Sequence, residues 1–163
     1  MFRLILMRHA DSEWARAGQS DYDRSLSADG VKGIPAVAKW MSGSDYVPSI
    51  ILASGATRTR QTANALIQQW DKKPVLITTG DLYLAGPETI ERVIHRDSCD
   101  LHSLMLIGHN PGLSYLASAL ADQVIQMPTA GVMVFDVSVD RWSDFRIGSD
   151  VRLVDSTNSN QFR

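Results

Sequence analysis

The sequence is short of several features that would define a class of protein at once. Cys99 is the one cysteine among 163 residues, so an internal disulfide and a multi-cysteine zinc site are excluded. Sixteen Lys and Arg residues against eighteen Asp and Glu residues give a formal net charge of −2. Because nucleic acids and anionic membranes are bound by an excess of positive charge, we expect neither of them among its partners.

Long apolar runs are missing as well. The first apolar run, residues 4–7, is followed at once by Arg8 and His9, so it is too short for a secretory signal. No segment approaches the roughly 20 apolar residues that a membrane span needs. Together with a lone cysteine, which suits a reducing compartment, these absences predict a cytoplasmic protein.

Motifs for cofactors are also missing. The sequence has no glycine-rich nucleotide loop of the G-x-x-x-x-G-K type. No cluster of cysteines or carboxylates has the spacing of metal ligands, and histidines set among arginines would repel a cation. We therefore expect a protein that works without a metal, a nucleotide or any other cofactor.

What the chain does contain is an alternation of short apolar runs with segments of helical periodicity. Each of four predicted strands precedes a predicted helix, and the strands lie at residues 4–7, 49–53, 75–77 and 104–107. This alternation predicts an α/β fold in three layers, with a mainly parallel sheet and helices on both faces. Later strands are expected at residues 132–137 and in the region 142–153.

The length suits one domain. Residues 1–157 are expected to form that domain, since 44% of the whole chain is hydrophobic, and residues 158–163 are expected to be a frayed tail.

In the first helix, which begins after a cap at Ser27, Pro35 interrupts the apolar pattern. Proline removes one helical hydrogen bond and crowds the preceding turn, so we expect a kink or the true helix start near it.

Three loops after predicted strands carry unusual polar residues. Arg8 and His9 follow the first strand, Ser54 and Arg58 follow the second, and His109 follows the fourth. In an open parallel sheet these loops share one edge, where ligands bind in a crevice. The predicted fold therefore brings two arginines and two histidines together.

The chemistry of such a cluster indicates a phosphate site. Guanidinium groups grip phosphate oxygens in pairs, and a helix amino terminus adds N–H donors. A histidine among arginines has its cationic form disfavoured, so one ring nitrogen can attack phosphorus while a backbone carbonyl or similar acceptor holds the other as N–H. We therefore predict a two-step phosphatase that phosphorylates His9 and then lets water release the phosphate.

The same residues resemble a known family. Met7-Arg8-His9-Ala10 resembles the Arg-His-Gly signature of the histidine phosphatase superfamily, which has the phosphoglycerate-mutase-like fold, in the form common in its small phosphohistidine phosphatase (SixA-type) branch. Further similar motifs follow in the expected order at residues 26–30, 54–62, 108–110 and 127–131. The resemblance implies that His9 is the nucleophile, that Arg8 and Arg58 bind the phosphoryl group, and that His109 completes the pocket.

The resemblance also suggests weaker site residues and leaves the proton donor open. Ser54, Thr59 and Asn110 are further candidates for substrate binding. The acid-phosphatase branch has an aspartate donor where this chain has Asn110, so that mechanism does not carry over. Ala10 replaces the glycine of the wider family, which affects backbone freedom more than chemistry.

Glu88 is the first candidate for a proton donor, because the mutase branch takes its acid from the region after the third strand. Asp11 and Glu13 in the first loop are rivals. An acid in the first turn of a helix can also serve merely to complement the helix dipole. Since imidazole leaves a phosphorus–nitrogen bond more readily than an alkoxide leaves an ester, the enzyme can also work with a weak acid or none.

The substrate class is predicted from chain length. The span 60–108 holds one helix, one strand and another helix, without the insertions that roof the pocket in family members acting on sugar phosphates. An open pocket suits a phosphorylated protein, so the leading hypothesis is a monomeric phosphohistidine phosphatase acting on phosphorelay or phosphotransferase proteins. The alternatives are a phosphomonoesterase for a small phosphate ester and an inert phosphate-binding module, which would need the arginines but not both histidines.

Overall fold

Strand β1 (Phe2–Arg8) lies inside a six-stranded sheet in the computed structural model, which describes residues 1–157. The other strands are β2 (Ile50–Ser54), β3 (Val75–Thr79), β4 (Ser103–Gly108), β5 (Val132–Val137) and β6 (Val151–Thr157). Their order in space is β3-β2-β4-β1-β5-β6. The first four strands of this order are parallel, whereas β5 pairs antiparallel with β1 and β6 antiparallel with β5. The predicted mainly parallel sheet is confirmed.

Four helices cover the sheet: α1 (Ala28–Gly43), α2 (Thr57–Gln68), α3 (Pro87–Asp97) and α4 (Gly112–Ala121). Alternate side chains of β1 enter two separate apolar cores. Leu4 and Leu6 pack in the core that includes α3 and α4, while Ile5 and Met7 pack in the core that includes α1 and α2. Because successive residues of a strand point to opposite faces, this division confirms the three-layer arrangement with both faces of the sheet buried.

One of the two alternatives predicted at Pro35 is excluded, and one strand boundary is corrected. Helix α1 is one helix from Ala28, capped where Ser27 Oγ accepts a hydrogen bond from Gly30 N, and it runs through Pro35. Pro35 is exposed, so the carbonyl that loses its helical partner can bond to water instead. The helix therefore does not begin near the proline.

The last strand also begins later than predicted. Trp142 lies in a short 3-10 turn, Trp142–Asp144, and β6 starts at Val151. The indole is fully buried against the ring of Phe2 and donates to the carbonyl of Leu101 at 2.6 Å. Its apolar character thus reflects packing at the end of the sheet and not a strand. The tail predicted at 158–163 lies outside the described residues.

The topology places the polar loops together. Strands β2, β4 and β1 are neighbours and parallel, so the segments after Ser54, Gly108 and Arg8 leave the same edge of the sheet. In the part of the chain that the structure describes, no helix has the length and apolar character to cross a membrane.

Candidate active site

A cavity of about 510 Å³ opens at the carboxyl ends of these strands. The predicted residues Arg8, His9, Arg58, His109 and Asn110 all line it. They come from three connections that are far apart in sequence and adjacent in the sheet. The structure therefore brings together the two arginines and two histidines that the sequence predicted at one edge.

His9 is held in one orientation by two contacts. Its Nδ1 lies 2.7 Å from the carbonyl oxygen of Ala10, and its Nε2 lies 3.3 Å from Nε of Arg58. Since a guanidinium nitrogen can donate and cannot accept, Nε2 is the acceptor and Nδ1–H donates to Ala10. Burial, together with the charges of Arg58 and Arg8, lowers the pKa of His9 to about 4. The ring is therefore neutral near pH 7, with the lone pair of Nε2 available as a nucleophile.

The tautomer of His109 follows from the same argument. Its Nδ1 lies 3.2 Å from Nη2 of Arg58, so Nδ1 accepts and the hydrogen sits on Nε2, which lies 2.8 Å from Ser54 Oγ. Burial first, then the neighbouring His9 and the charge of Arg58, lower the pKa of His109 to about 3. The centroids of the two imidazole rings are 5.4 Å apart. Both histidines are therefore neutral side chains in the wall of the cavity, and the positive charge of the cavity comes from arginine.

Two of the guanidinium groups that line the cavity lie closest to the predicted site. Arg58 is the second residue of α2 and is 3% exposed, and its three nitrogens contact His9, His109 and Asp21. Arg8 donates from Nη1 to the carbonyl of Met127 at 3.2 Å, while its buried Nε has no hydrogen-bond partner among residues 1–157. Burial and the nearby Arg58 lower the pKa of Arg8. A phosphoryl group would supply an anion for Arg8 and a second anionic partner, beside Asp21, for Arg58.

Ser54 and Thr59 do not line the cavity. Both are fully buried. The hydroxyl of Thr59 donates to the carbonyls of Ser54 and Ala56 at 2.7 and 2.8 Å, which fixes the turn between β2 and α2. Ser54 accepts from His109 and from the backbone N–H of Ala56. Their geometry suits them to hold His109 and Arg58 in place and not to contact a substrate.

Asn110 lines the cavity, but its side-chain amide is already hydrogen-bonded within the protein. Nδ2 donates to the carbonyl of Met127 at 2.9 Å, and Oδ1 accepts from the backbone N–H and the hydroxyl of Ser114 at 3.2 and 2.7 Å. These bonds tie the start of α4 to the segment that also binds Arg8. The side chain therefore has a positional role in the geometry of the site.

The structure separates the three candidates for a proton donor. Glu88 is exposed in the first turn of α3 and does not line the cavity. Glu13 is also exposed and away from the lining, whereas Asp11 lines the cavity. Of the three, Asp11 is the carboxylate that the structure brings to the site.

Sequence reasoning missed a second group of residues at the cavity. Asp21 and Arg24, from the connection between β1 and α1, line the wall, and the hydroxyl of Tyr83, which follows β3, donates to Asp21. The ring of Tyr83 also meets His109 edge-on at 5.4 Å. The signal available was weak, because charged residues in an irregular loop usually indicate a solvated surface. For Asp21 and Arg24, the one clue in the sequence was their position in the loop that follows Arg8 and His9.

Within residues 1–157, no three His, Cys, Asp or Glu side chains are grouped as metal ligands. The chemistry that the site can perform is anion binding by guanidinium groups next to an unprotonated imidazole nitrogen. That combination is what phosphoryl transfer to a histidine nucleophile requires.

Comparison with known proteins agrees with this class. Residues 4–80 match the model of the histidine phosphatase superfamily (branch 1). An uncharacterised protein of Mycobacterium tuberculosis is 30% identical over 153 residues, which cover 87% of this chain and 93% of that protein. The chain belongs to the histidine phosphatase superfamily.

Solved structures place it in the SixA-like branch. A candidate phosphohistidine phosphatase, SixA from Agrobacterium tumefaciens, superposes with a TM-score of 0.80 and 28% identity over 96% of this chain and 97% of that one. The protein histidine phosphatase SixA in complex with tungstate has the same fold, with a TM-score of 0.81 and 16% identity over 99% of both chains. The fold also occurs in phosphatases of small metabolites, such as a mycobacterial glucosyl-3-phosphoglycerate phosphatase. The fold therefore does not by itself identify the substrate.

Proposed function

We propose that this chain is a phosphohistidine phosphatase that removes phosphate from a phosphorylated protein side chain through a covalent phosphohistidine on His9. The observation that carries the proposal is the state of His9. Its Nδ1–H is held by Ala10, and its unprotonated Nε2 lies beside Arg58 in a cavity that Arg8 also lines. This geometry provides a nucleophile and the cations that stabilise a transferring phosphoryl group.

The reaction has two displacements at phosphorus. The lone pair of His9 Nε2 forms a bond to phosphorus while the bond to the substrate nitrogen breaks, and the imidazole of the substrate leaves. Water then attacks the phosphorus on His9, inorganic phosphate is released, and Nε2 regains its lone pair. Arg8 and Arg58 neutralise the phosphoryl oxygens in both steps, so the reaction proceeds without a metal. His109 keeps Arg58 in place through Nδ1.

A protein substrate is supported by the edge of the cavity. Trp14 and Leu84 line it and are 88% and 52% exposed. Exposed large apolar side chains beside a polar site are typical of surfaces that contact another protein. The similarity to the candidate SixA from Agrobacterium tumefaciens supports the same substrate class. We propose that the chain acts as a monomer in the cytoplasm, where its exposed free thiol at Cys99 would stay reduced.

A phosphomonoesterase for a small phosphorylated metabolite is the second candidate. A cavity of about 510 Å³ has the size of a small-molecule site, and metabolite phosphatases share the fold. A catalytically inert phosphate-binding module is the third candidate. It has less support, because binding would need the arginines but not a neutral His9 poised at Nε2.

The test is phosphate release from a protein that carries phosphohistidine, measured in metal-free buffer for the wild type and for His9→Ala. We expect the variant to lose at least about three decades of rate, which corresponds to roughly 4 kcal/mol of transition-state stabilisation. If the wild type does not release phosphate from the protein but hydrolyses a small phosphate ester, the metabolite function replaces this proposal. If it acts on neither, the chain is a binding module.

A further inference from the structure

Asp21 is a carboxylate in the wall of an anion-binding cavity. It lies at the start of a 3-10 turn, Asp21–Asp23, and its side chain is 46% exposed. Oδ1 accepts from Nη1 of Arg24 at 2.9 Å, and Oδ2 accepts from Nη2 of Arg58 at 3.1 Å and from the hydroxyl of Tyr83. A negative charge here weakens the attraction of the pocket for phosphate, so its position calls for an explanation.

Asp21 remains ionised and cannot serve as the proton donor. The hydroxyl of Tyr83, the guanidinium of Arg24 and then that of Arg58 hold the pKa of Asp21 well below its usual range. A carboxylate has about four acceptor sites, and the three hydrogen bonds above leave about one of them free. With nearly half of the side chain exposed, that site can accept a hydrogen bond from a bound molecule.

Asp21 lies across Arg58 from the nucleophile. The guanidinium of Arg58 presents Nε to His9 Nε2 and Nη2 to Asp21 Oδ2. In phosphoryl transfer the leaving group departs on the side of phosphorus opposite the attacking atom. Because His9 and Asp21 contact different nitrogens of one guanidinium, a leaving group that departs away from His9 can meet the carboxylate of Asp21.

On the basis of the function proposed above, we propose that Asp21 selects a phosphohistidine by accepting a hydrogen bond from the distal ring N–H of its imidazolium. The lone pair of His9 Nε2 forms the new bond to phosphorus. The electron pair of the breaking phosphorus–nitrogen bond moves onto the ring nitrogen of the substrate and cancels the positive charge of the imidazolium. A neutral imidazole then leaves with the N–H that it already carried.

This role explains how the site can work without a proton donor at the bridging atom. Glu88 does not line the cavity, and the amide of Asn110 is bonded to Met127 and Ser114. Asp11 does line it, but its carboxylate accepts a hydrogen bond from the hydroxyl of Ser27. A phosphate ester would have to expel an oxyanion next to the charge of Asp21, which raises the barrier. A protonated phosphohistidine loses its positive charge in the same step and is stabilised in the bound state. The carboxylate therefore favours phosphorus–nitrogen over phosphorus–oxygen substrates.

The test compares kcat/KM for a phosphohistidine peptide and for 4-nitrophenyl phosphate in the wild type, Asp21→Asn and Asp23→Asn. Asp23 lies in the same turn, outside the cavity lining, where it accepts from Ser20. We expect Asp21→Asn to lower kcat/KM for the peptide at least about 30-fold and to raise the ester value, because the negative charge beside the departing oxyanion is removed. Asp23→Asn should leave the ratio of the two values unchanged.

A second measurement separates selection from a merely structural role. If Asp21 only positioned Arg58, its loss would weaken the binding of inorganic phosphate, measured as an inhibition constant. We expect Asp21→Asn to bind inorganic phosphate as tightly as the wild type or more tightly, and Asp21→Glu to retain most of the preference for the peptide. If Asp21→Asn does not fold, Asp21→Ser takes its place.

The outcomes distinguish this inference from the proposed function. A wild type that does not turn over the phosphohistidine peptide contradicts both. Turnover that depends on His9, with equal losses on both substrates in Asp21→Asn, overturns the role of Asp21 and leaves the proposed function intact. Weaker phosphate binding that parallels the loss of rate would likewise reduce Asp21 to a support for Arg58.

Discussion

Nε of Arg58 lies 3.3 Å from Nε2 of His9, so a permanent cation donates to the nitrogen that would otherwise be protonated. Nη2 of the same guanidinium donates to Nδ1 of His109. One arginine thus fixes the tautomer of both histidines, and its charge adds to the burial that lowers their pKa values and keeps them neutral. In the proposed mechanism, the preparation of the nucleophile and the binding of the phosphoryl group depend on the same side chain.

This relationship makes stability depend on pH. The pKa of His9 is lowered to about 4 and that of His109 to about 3, whereas in the unfolded chain both lie near 6.5. Between these values the unfolded state binds more protons, so the free energy of unfolding falls as the pH drops from about 6.5 towards 4. From His9 alone we expect a loss of about 2–3 kcal/mol between pH 7 and pH 4.5.

Urea unfolding of the wild type, His9→Gln and His102→Gln at both pH values measures this loss. His9→Gln removes one titrating ring and should lose less stability on acidification than the wild type. His102 is exposed, so His102→Gln should follow the wild type. Equal losses in the wild type and His9→Gln would show that the buried ring does not control the acid response.

We predict that Ser54 supports catalysis through its hydrogen bond with His109. Ser54→Ala leaves the N–H at Nε2 of His109 without its acceptor at 2.8 Å, and an unpaired buried donor costs about 1–3 kcal/mol. Since the ring also holds Arg58, we expect kcat to fall about tenfold or more while KM changes little. Steady-state kinetics decide this, with Ser42→Ala at the exposed end of α1 as the control. A higher KM with unchanged kcat would instead support the sequence prediction that Ser54 contacts the substrate.

Much of the fold could be predicted because it depends on periodicity. The strands 4–7 and 104–107 are continuous apolar runs, which is how parallel strands buried on both faces appear in a sequence. A helix start near Pro35 was the wrong alternative because Pro35 lies on the exposed face of α1, where water can replace the lost hydrogen bond at little free-energy cost. Trp142 misled because apolar character alone does not distinguish a strand from a buried turn.

The candidate site was predictable to the extent that it depends on topology. Arg8 ends a parallel strand, His9 and His109 follow such strands, and the carboxyl ends of neighbouring parallel strands lie at one edge of the sheet. Asp21 and Tyr83 come from irregular connections, whose paths depend on tertiary contacts that no periodicity encodes. The amide of Asn110 and the hydroxyl of Thr59 are taken up by backbone partners, which residue type alone does not reveal.

Asn110→Asp should not turn the site into that of an acid phosphatase. Nδ2 of Asn110 donates to the carbonyl of Met127, which also accepts from Arg8. A carboxylate cannot donate, so its oxygen would face that carbonyl and repel it. We expect a loss of about 1–3 kcal/mol in the free energy of unfolding, lower activity on phosphohistidine and no gain on esters.

Urea unfolding and turnover of 4-nitrophenyl phosphate measure both effects of that substitution. Gln126→Glu makes the same change from amide to acid at an exposed neighbouring position and should be close to neutral. A stable Asn110→Asp variant with increased ester hydrolysis would contradict this prediction. It would mean that a proton donor at this position is sufficient to make the chain hydrolyse phosphate esters.

Gly112 sets the distance between α4 and the connection that precedes α3. A Cβ at Gly112 would overlap the carbonyl oxygen of Ala85 and press on Gly86. Because Leu113 N donates to the carbonyl of His109 at 3.1 Å, displacement of the start of α4 also moves His109. We therefore expect Gly112→Ala to lower the free energy of unfolding by about 1–3 kcal/mol and to reduce kcat.

Gly43→Ala is the matched control, because a Cβ there meets nothing within 4 Å at the end of α1. It should be neutral or stabilising by up to about 1 kcal/mol. Urea unfolding measures both variants. Equal stabilities would mean that the backbone around Ala85 shifts without a loss of free energy, and that its close approach to Gly112 does not hold His109 in place.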